Sequence, residues 1–200
     1  MATTENPSRS QRLGQWLRQC PSTVAVAEKL DTWSFQTAYR WLERQVEYKN
    51  LSVLGTVPGS KGKEQKVYGT YCKCDNLRHE VGISYLLAGF EREGWEWRRG
   101  EDVDPEFRAD ADIFHYGHVF RVELDFDTER RRALEKRLTV YRDSDDFVLF
   151  VAPHERRIRQ VKDIGHFLGD QLLCTTIAKA VKDPFAENVW EDIYGNTCSL

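Results

Sequence analysis

Residues 118–126 are the segment that most constrains how this chain folds. Apolar and charged residues alternate along it: Phe120, Val122 and Leu124 are apolar, and Arg121, Glu123 and Asp125 are charged. A period of two is typical of a β-strand with one apolar face. Gly117 separates this strand from another predicted strand, residues 110–116, so the two are expected to form a β-hairpin. One face of the hairpin must therefore pack on a core, and the other lines up two acids.

Strands and helices alternate around this hairpin. Before the hairpin, the sequence predicts a packed helix over 79–93 and a short strand over 95–97. After the hairpin, it predicts a charged helix over 128–141, an apolar strand over 147–152, a basic helix over 155–168 and a last strand over 171–175. This order predicts an α/β body over residues 76–200, in which helices flank a mixed sheet, and an α+β chain as a whole.

Three short helical patterns occupy the amino-terminal region. Leu13, Trp16 and Leu17 share one helical face before Pro21, a second helix is predicted over 24–30, and a third over 35–49 after the capping residue Ser34. Two strands follow, over 51–57 and 66–71, and a Gly- and Lys-rich loop, 58–63, joins them. Helices followed by a basic hairpin are typical of a winged helix, predicted for residues 11–75, with residues 1–10 as a flexible arm.

The third helix and the hairpin carry the candidate DNA contacts. One exposed stripe near the start of the helix holds Gln36, Thr37, Arg40 and Arg44, and the hairpin adds Lys61, Lys63 and Lys66. A recognition helix presents such side chains to base edges and phosphates in the major groove of double-stranded DNA. A winged helix that is purely structural, or that contacts a protein, is the alternative.

Charge is divided unevenly along the chain. Residues 1–75 hold eleven Lys and Arg against seven Asp and Glu, whereas residues 76–200 hold eighteen against twenty-five. A basic module joined to an acidic one is typical of a polyanion-binding arm on a body with its own acidic site. A chance distribution of surface charges explains this modest excess of basic residues in 1–75 equally well.

Composition predicts a cytoplasmic protein without a membrane partner. The longest apolar stretches are about six residues, as over 147–152, far short of the roughly 20 that span a bilayer. Residues 1–19 lack the apolar region of a secretory signal. Five cysteines, an odd number, favour reduced thiols over a disulfide framework.

The hairpin acids are the candidate catalytic residues. Asp110 and Asp112 share one face of the first strand, Glu123 and Asp125 share one face of the second, and Lys136 follows on the next helix. Carboxylate oxygens suit Mg²⁺ or Mn²⁺, which polarise a phosphodiester, and a lysine stabilises the developing charge. Solvated charges on an exposed strand face are the alternative, and the pattern alone favours them.

Three ordered blocks carry a family resemblance. They are residues 108–111 (Arg-Ala-Asp-Ala), 122–129 (Val-Glu-Leu-Asp-Phe-Asp-Thr-Glu) and 134–141 (Leu-Glu-Lys-Arg-Leu-Thr-Val-Tyr). They resemble the Pro-Asp-Ala step, the Glu-Leu-Asp-x-x-Thr-Glu strand end and the Lys-x-x-x-x-Tyr helix of the replication-relaxation family of plasmids and other mobile elements. That family pairs a winged helix with a PD-(D/E)xK restriction-endonuclease-like body, so the resemblance implies this architecture over most of residues 12–192.

The resemblance also implies roles for individual residues. Asp110 and Glu123 are expected as metal ligands, Asp125 as a third, and Lys136 as their electrostatic partner, while Tyr141 is expected to pack. Nucleases of this superfamily place a Lys two residues after the second acid, but here that position holds Asp125. Ala109 also replaces the motif proline.

Two functions follow from these observations. The first is a DNA-binding protein of a mobile element, acting in replication, relaxation or transcription control, whose nuclease-like body has reduced or no catalytic activity. The alternative is a metal-dependent DNA endonuclease or nickase that uses Asp110, Glu123, Asp125 and Lys136. A homodimer is expected if the winged helix reads a palindrome.

Overall fold

The computed structural model describes residues 7–31, 33–59, 62–70, 76–99 and 103–200. The chain divides into two compact units, unit 1 (Met1–Ala88) and unit 2 (Gly89–Leu200). Helices and a mixed sheet make up the structure, which confirms the predicted class of mixed α and β structure. In the described part of the chain, no helix is long and apolar enough to cross a membrane.

Unit 1 contains three helices followed by a two-stranded antiparallel hairpin. Its elements are α1 (Arg9–Gln19), α2 (Val24–Asp31), α3 (Phe35–Glu47), β1 (Ser52–Pro58), β2 (Glu64–Gly69) and most of α4 (Leu77–Arg92). The predicted order of helices and strands in this region is confirmed.

The first helix begins earlier than predicted. The Ser8 side chain accepts a hydrogen bond from the Gln11 backbone N–H, and the Gln11 side chain accepts one from the Ser8 N–H. This reciprocal capping box satisfies donors that the helix leaves unpaired, so Arg9 and Ser10 are helical and not part of an arm. Residues 1–6 of the predicted arm lie outside the described residues.

One residue of the α1–α2 connection, Ser22, pairs with the hairpin of unit 1. Ser22 exchanges two backbone hydrogen bonds with Tyr68 of β2, of 2.9 and 2.8 Å, and its hydroxyl accepts a hydrogen bond from the Trp16 indole at 2.8 Å. Leu13 of α1 and Leu42 of α3 are fully buried. Packing and strand pairing together therefore fix where α3 and β2 stand relative to each other.

Unit 2 is built on a seven-stranded mixed sheet in which the strands pair in chain order. Its elements are β3 (Glu96–Arg98), β4 (Ala111–His115), β5 (His118–Leu124), α5 (Arg131–Thr139), β6 (Phe147–Ala152), α6 (Glu155–Ile164), a 3-10 helix (His166–Gln171), β7 (Leu172–Thr176), α7 (Ile177–Lys182), β8 (Trp190–Glu191) and β9 (Thr197–Cys198). The first three strands are antiparallel, β5 to β7 are parallel, and β7 to β9 are antiparallel.

Helices α5 and α6 cover one face of this sheet. Leu134 and Leu138 of α5 and Ile158 and Val161 of α6 are buried in one cluster with Phe150 of β6. Glu123 of β5 pairs with Phe150 in register, so its side chain belongs to this helix-covered face. The acids of the hairpin thus point toward a core and not toward solvent.

Several predicted bounds in unit 2 differ from the structure. Asp127 has a φ of 60°, in a turn that delays α5 until Arg131. The predicted helix 155–168 is divided in the structure. Helix α6 ends at Ile164, before Gly165, and Gly169, with a φ of 59°, interrupts the 3-10 helix that follows. The short elements α7, β8 and β9 were not predicted.

Candidate nucleic-acid interface and buried acidic cluster

The outward face of α3 carries the predicted DNA-contact stripe. Gln36, Thr37, Arg40 and Arg44 are all exposed. Ser34 caps the helix as predicted, since its hydroxyl accepts a hydrogen bond from the Thr37 N–H at 3.3 Å and lies 2.9 Å from the Thr37 hydroxyl. The Thr37 hydroxyl therefore belongs to the cap, whereas Gln36, Arg40 and Arg44 lie four residues apart along one exposed line.

The hairpin lysines differ in their surroundings. Lys63 is exposed, and Lys61 lies outside the described residues. Lys66 pairs with Glu43 of α3 at 3.0 Å, and Glu43 also accepts a hydrogen bond of 2.6 Å from the Tyr68 hydroxyl. Tyr68 and Lys66 lower the pKa of Glu43, and Glu43 raises the pKa of Lys66. Lys66 therefore neutralises an acid on the helix in addition to any contact with phosphate.

A groove of about 480 Å³ lies between α3 and the hairpin. Phe35 and Tyr39 of α3 line it on one side, and Lys66 and Tyr68 of β2 line it on the other. Phe35 is 52% exposed and Tyr39 is 38% exposed. No local sequence pattern indicates this groove, because it joins residues about 30 positions apart that only the packing of the hairpin brings together.

The acids of unit 2 come together on the helix-covered face of the β4–β5 hairpin. Asp112 faces Arg121 in register, and the Asp110 N–H bonds to the Val122 carbonyl, which places Asp110 beside Glu123. Asp112, Glu123 and Asp125 are 2%, 1% and 3% exposed. The interpretation of these three acids as solvated strand charges is therefore wrong. Helices α5 and α6 supply Arg137 and Arg157 to Glu123 and Asp125. Asp112 pairs with Arg121 and accepts a hydrogen bond from the Asp104 N–H.

Glu123 is held by two side chains of the α5 region. The Tyr141 hydroxyl donates a hydrogen bond of 2.5 Å to Glu123 Oε1, and Arg137 Nη1 lies 3.3 Å from Oε2. Burial raises the pKa of Glu123 to about 8 against the opposing effect of Arg137, and the negative charge of Asp110 adds to the rise. Burial therefore favours the protonated form of Glu123 in this arrangement.

Asp125 is occupied by a buried ion pair. Arg157 Nε donates to Asp125 Oδ2 at 2.5 Å, and the Asp127 N–H donates to Oδ1 at 2.9 Å. Arg157 also donates to the Glu129 carbonyl and to Gln160. Each oxygen of Asp125 thus accepts one hydrogen bond, and the charge of Arg157 balances this carboxylate without a metal ion.

The positive charge beside Glu123 comes from Arg137, not from Lys136. Lys136 is exposed on α5, whereas Arg137 reaches Glu123 at 3.3 Å and Glu129 at 3.4 Å. Among the residues that the structure describes, two buried donor atoms of Arg137, Nε and Nη2, have no hydrogen-bond partner. The sequence contained the signal for this placement: Leu134, Leu138 and Tyr141 mark the inward side of the helix, and residue 137 lies on that side while residue 136 does not.

Sequence reasoning also missed three structural contacts. Arg157 lies beside Ile158 and one turn from Val161, so helical spacing places it on the inward face of α6. Tyr141 was expected only to pack, but it also donates to Glu123. Arg121 pairs with Asp112 at 3.0 Å and Asp146 at 2.7 Å, which ties the hairpin to the chain just before β6.

Neither metal-ligand geometry in the described residues nor comparison with known proteins assigns a role to the buried acids. Among the residues that the structure describes, no group of three His, Cys, Asp or Glu side chains is placed to hold a metal ion. Neither the models of known protein families nor the curated proteins match the sequence.

Proposed function

We propose that this chain binds double-stranded DNA through unit 1. The observation that carries the proposal is the exposed line of Gln36, Arg40 and Arg44 on the third of three helices, directly before an antiparallel hairpin. Gln reads adenine, Arg reads guanine or phosphate, and a helix presented in this way fits the major groove. Unit 1 on this proposal is a winged helix, with α3 as the recognition helix and the β1–β2 hairpin as the wing.

Electrostatics supports this assignment. Arg40 and Arg44 of α3 are exposed cations, and Lys66 balances the charge of the nearby acid Glu43, which also accepts a hydrogen bond from the Tyr68 hydroxyl. On the wing, Lys63 is an exposed cation beside the exposed acid Glu64. A surface of this kind attracts the phosphate backbone, which supplies most of the affinity for DNA. On the resemblance to the replication-relaxation family, we propose that such binding serves the replication, relaxation or transcription control of a plasmid or other mobile element.

Binding to a labelled duplex, measured by fluorescence anisotropy at ~0.1 M salt, tests the proposal. Arg40→Ala is expected to weaken binding roughly fivefold through the loss of one phosphate contact. Arg18→Ala is the matched control, because Arg18 is an exposed arginine on α1 of the same unit. Equal affinity of wild type and both variants, or no binding at all, would contradict the proposal.

We assign unit 2 to the body of such a protein, with reduced or no catalytic activity. An antiparallel hairpin leading into parallel strands, with Asp110 just before β4 and Glu123 near the end of β5, supports a nuclease-like architecture. Two features oppose catalysis: Asp125 is held by Arg157, and Lys136 is exposed on α5 and not beside the acids.

A metal-dependent endonuclease is the second candidate, and one observation favours it. Two donor atoms of Arg137 that find no partner in the described part of the chain belong to a side chain beside Glu123, where an arginine suits a phosphate oxygen. Asp110 and Glu123 are the acids that would hold Mg²⁺ or Mn²⁺, which would polarise the phosphodiester. Glu123 would first have to lose its proton and its contact with Tyr141.

Incubation with supercoiled plasmid in Mn²⁺ distinguishes the two candidates. The non-catalytic assignment predicts that wild type leaves the plasmid intact while it retards the DNA on a gel. Nicking by wild type and by Glu135→Gln, an exposed control on α5, but not by Glu123→Gln, would establish the enzyme instead.

A further inference from the structure

Two exposed aromatic rings stand beside the proposed DNA-reading line of α3. Phe35, the first residue of the helix, is 52% exposed, and Tyr39, one turn later, is 38% exposed. The inward positions Ala38 and Leu42 are fully buried, so the core of unit 1 is filled without these rings. Large rings normally gain stability from burial, and two neighbours left exposed at one end of a helix form an apolar surface for a ligand.

The rings face a groove between α3 and the hairpin. Phe35, Gln36 and Tyr39 line the α3 side of the groove, and Lys63, Glu64 and Lys66 line the hairpin side. Lys66 is paired with Glu43, so the groove itself carries little net charge. The exposed cations Arg40 and Arg44 lie on the same helix, and a duplex held by these arginines would bring its base edges next to the rings.

Few groups in the major groove are apolar. The 5-methyl group of thymine is the apolar group on the base edges in this groove, and Phe is among the side chains that contact it. Gln36 follows Phe35 directly and is exposed, and a glutamine amide forms two hydrogen bonds with adenine. Adjacent residues at the start of the helix therefore carry the chemistry to read adjacent A·T pairs.

We propose that Phe35, with Tyr39 beside it, contacts thymine methyl groups in the DNA site, and that Gln36 reads the neighbouring adenine. This inference rests on the proposed function, because it assumes that α3 enters the major groove. It deepens that function by naming A·T pairs as the sequence that unit 1 prefers, and by giving the methyl group a direct part in recognition.

Removal of the methyl group alone tests the inference. Duplexes bound by the full chain are first selected from a random pool, and the selected duplex is then prepared with deoxyuridine in place of thymidine. Each methyl buried against Phe35 is expected to contribute about fourfold in affinity, so wild type should bind the thymidine duplex at least that much more tightly. Phe35→Ala should bind the two duplexes equally.

Controls separate the possible failures. Tyr48→Ala removes a ring that is at least as exposed as Phe35, at the other end of α3, and should keep the wild-type preference for thymidine. Equal binding of both duplexes by wild type would overturn the inference and leave DNA binding intact, and this comparison needs no variant to fold. A thymidine preference that survives in Phe35→Ala would also overturn it. Failure of wild type to bind any duplex would refute the proposed function itself.

Discussion

Replacing Glu123 by glutamine should change how the stability of unit 2 depends on pH. Burial raises the pKa of Glu123 from 4.5 to about 8, so the folded protein keeps a proton that the unfolded chain releases. The free energy of unfolding must then fall as pH rises between those two values. A pKa change of one corresponds to about 1.36 kcal/mol, which gives about 5 kcal/mol over the whole interval. Glutamine cannot ionise and loses this dependence.

Urea unfolding of wild type and Glu123→Gln at pH values from about 5 to about 9 measures this difference. The variant should gain stability relative to wild type as pH rises, and the gain should level off above about pH 8. Glu135→Gln, an exposed position on α5, should follow wild type throughout. A constant difference between wild type and Glu123→Gln at every pH would refute the reasoning, because it would mean that Glu123 titrates alike in the folded and unfolded chains.

Further predictions concern the arginines of the same cluster. Arg157→Met should lower the free energy of unfolding of unit 2 by about 3–5 kcal/mol, because it leaves Asp125 buried without its partner. The double variant Arg157→Met/Asp125→Asn should recover part of this loss in urea unfolding. A loss below ~1 kcal/mol in the single variant would show that the pair is solvated. Arg137→Ala should lower the free energy of unfolding by about 1–3 kcal/mol, whereas Lys136→Ala should change it by less than ~0.5 kcal/mol. A larger effect of Lys136→Ala than of Arg137→Ala would contradict the inward placement of Arg137.

Local patterns predicted the elements that make up most of the fold. The capping residue Ser34 with Ala38 and Leu42 at helical spacing was sufficient for α3, and strict alternation after Gly117 was sufficient for β5. Strands of two residues, such as β8 and β9, contain no period to detect. Helix ends were misplaced where a single residue decides, as at Ser8 and Gly169.

The candidate sites show the same division between local and long-range information. Alternation correctly placed Glu123 and Asp125 on one face, but only the packing of α5 and α6 determines that this face is buried. The pairing of Glu43 with Lys66 links residues 23 positions apart, so no local pattern reveals it. The inward position of residue 137, by contrast, follows from its helical spacing to Leu134 and Leu138, which is a local pattern.

The salt dependence of DNA binding tests most directly whether α3 holds the phosphate backbone. The logarithm of the binding constant is measured against the logarithm of salt concentration for wild type and for Arg40→Ala/Arg44→Ala. Each lost phosphate contact reduces the slope by about 0.9, so the variant should show a slope smaller by about 2. An unchanged slope, with DNA still bound, would contradict the account by placing the phosphate contacts elsewhere on the chain.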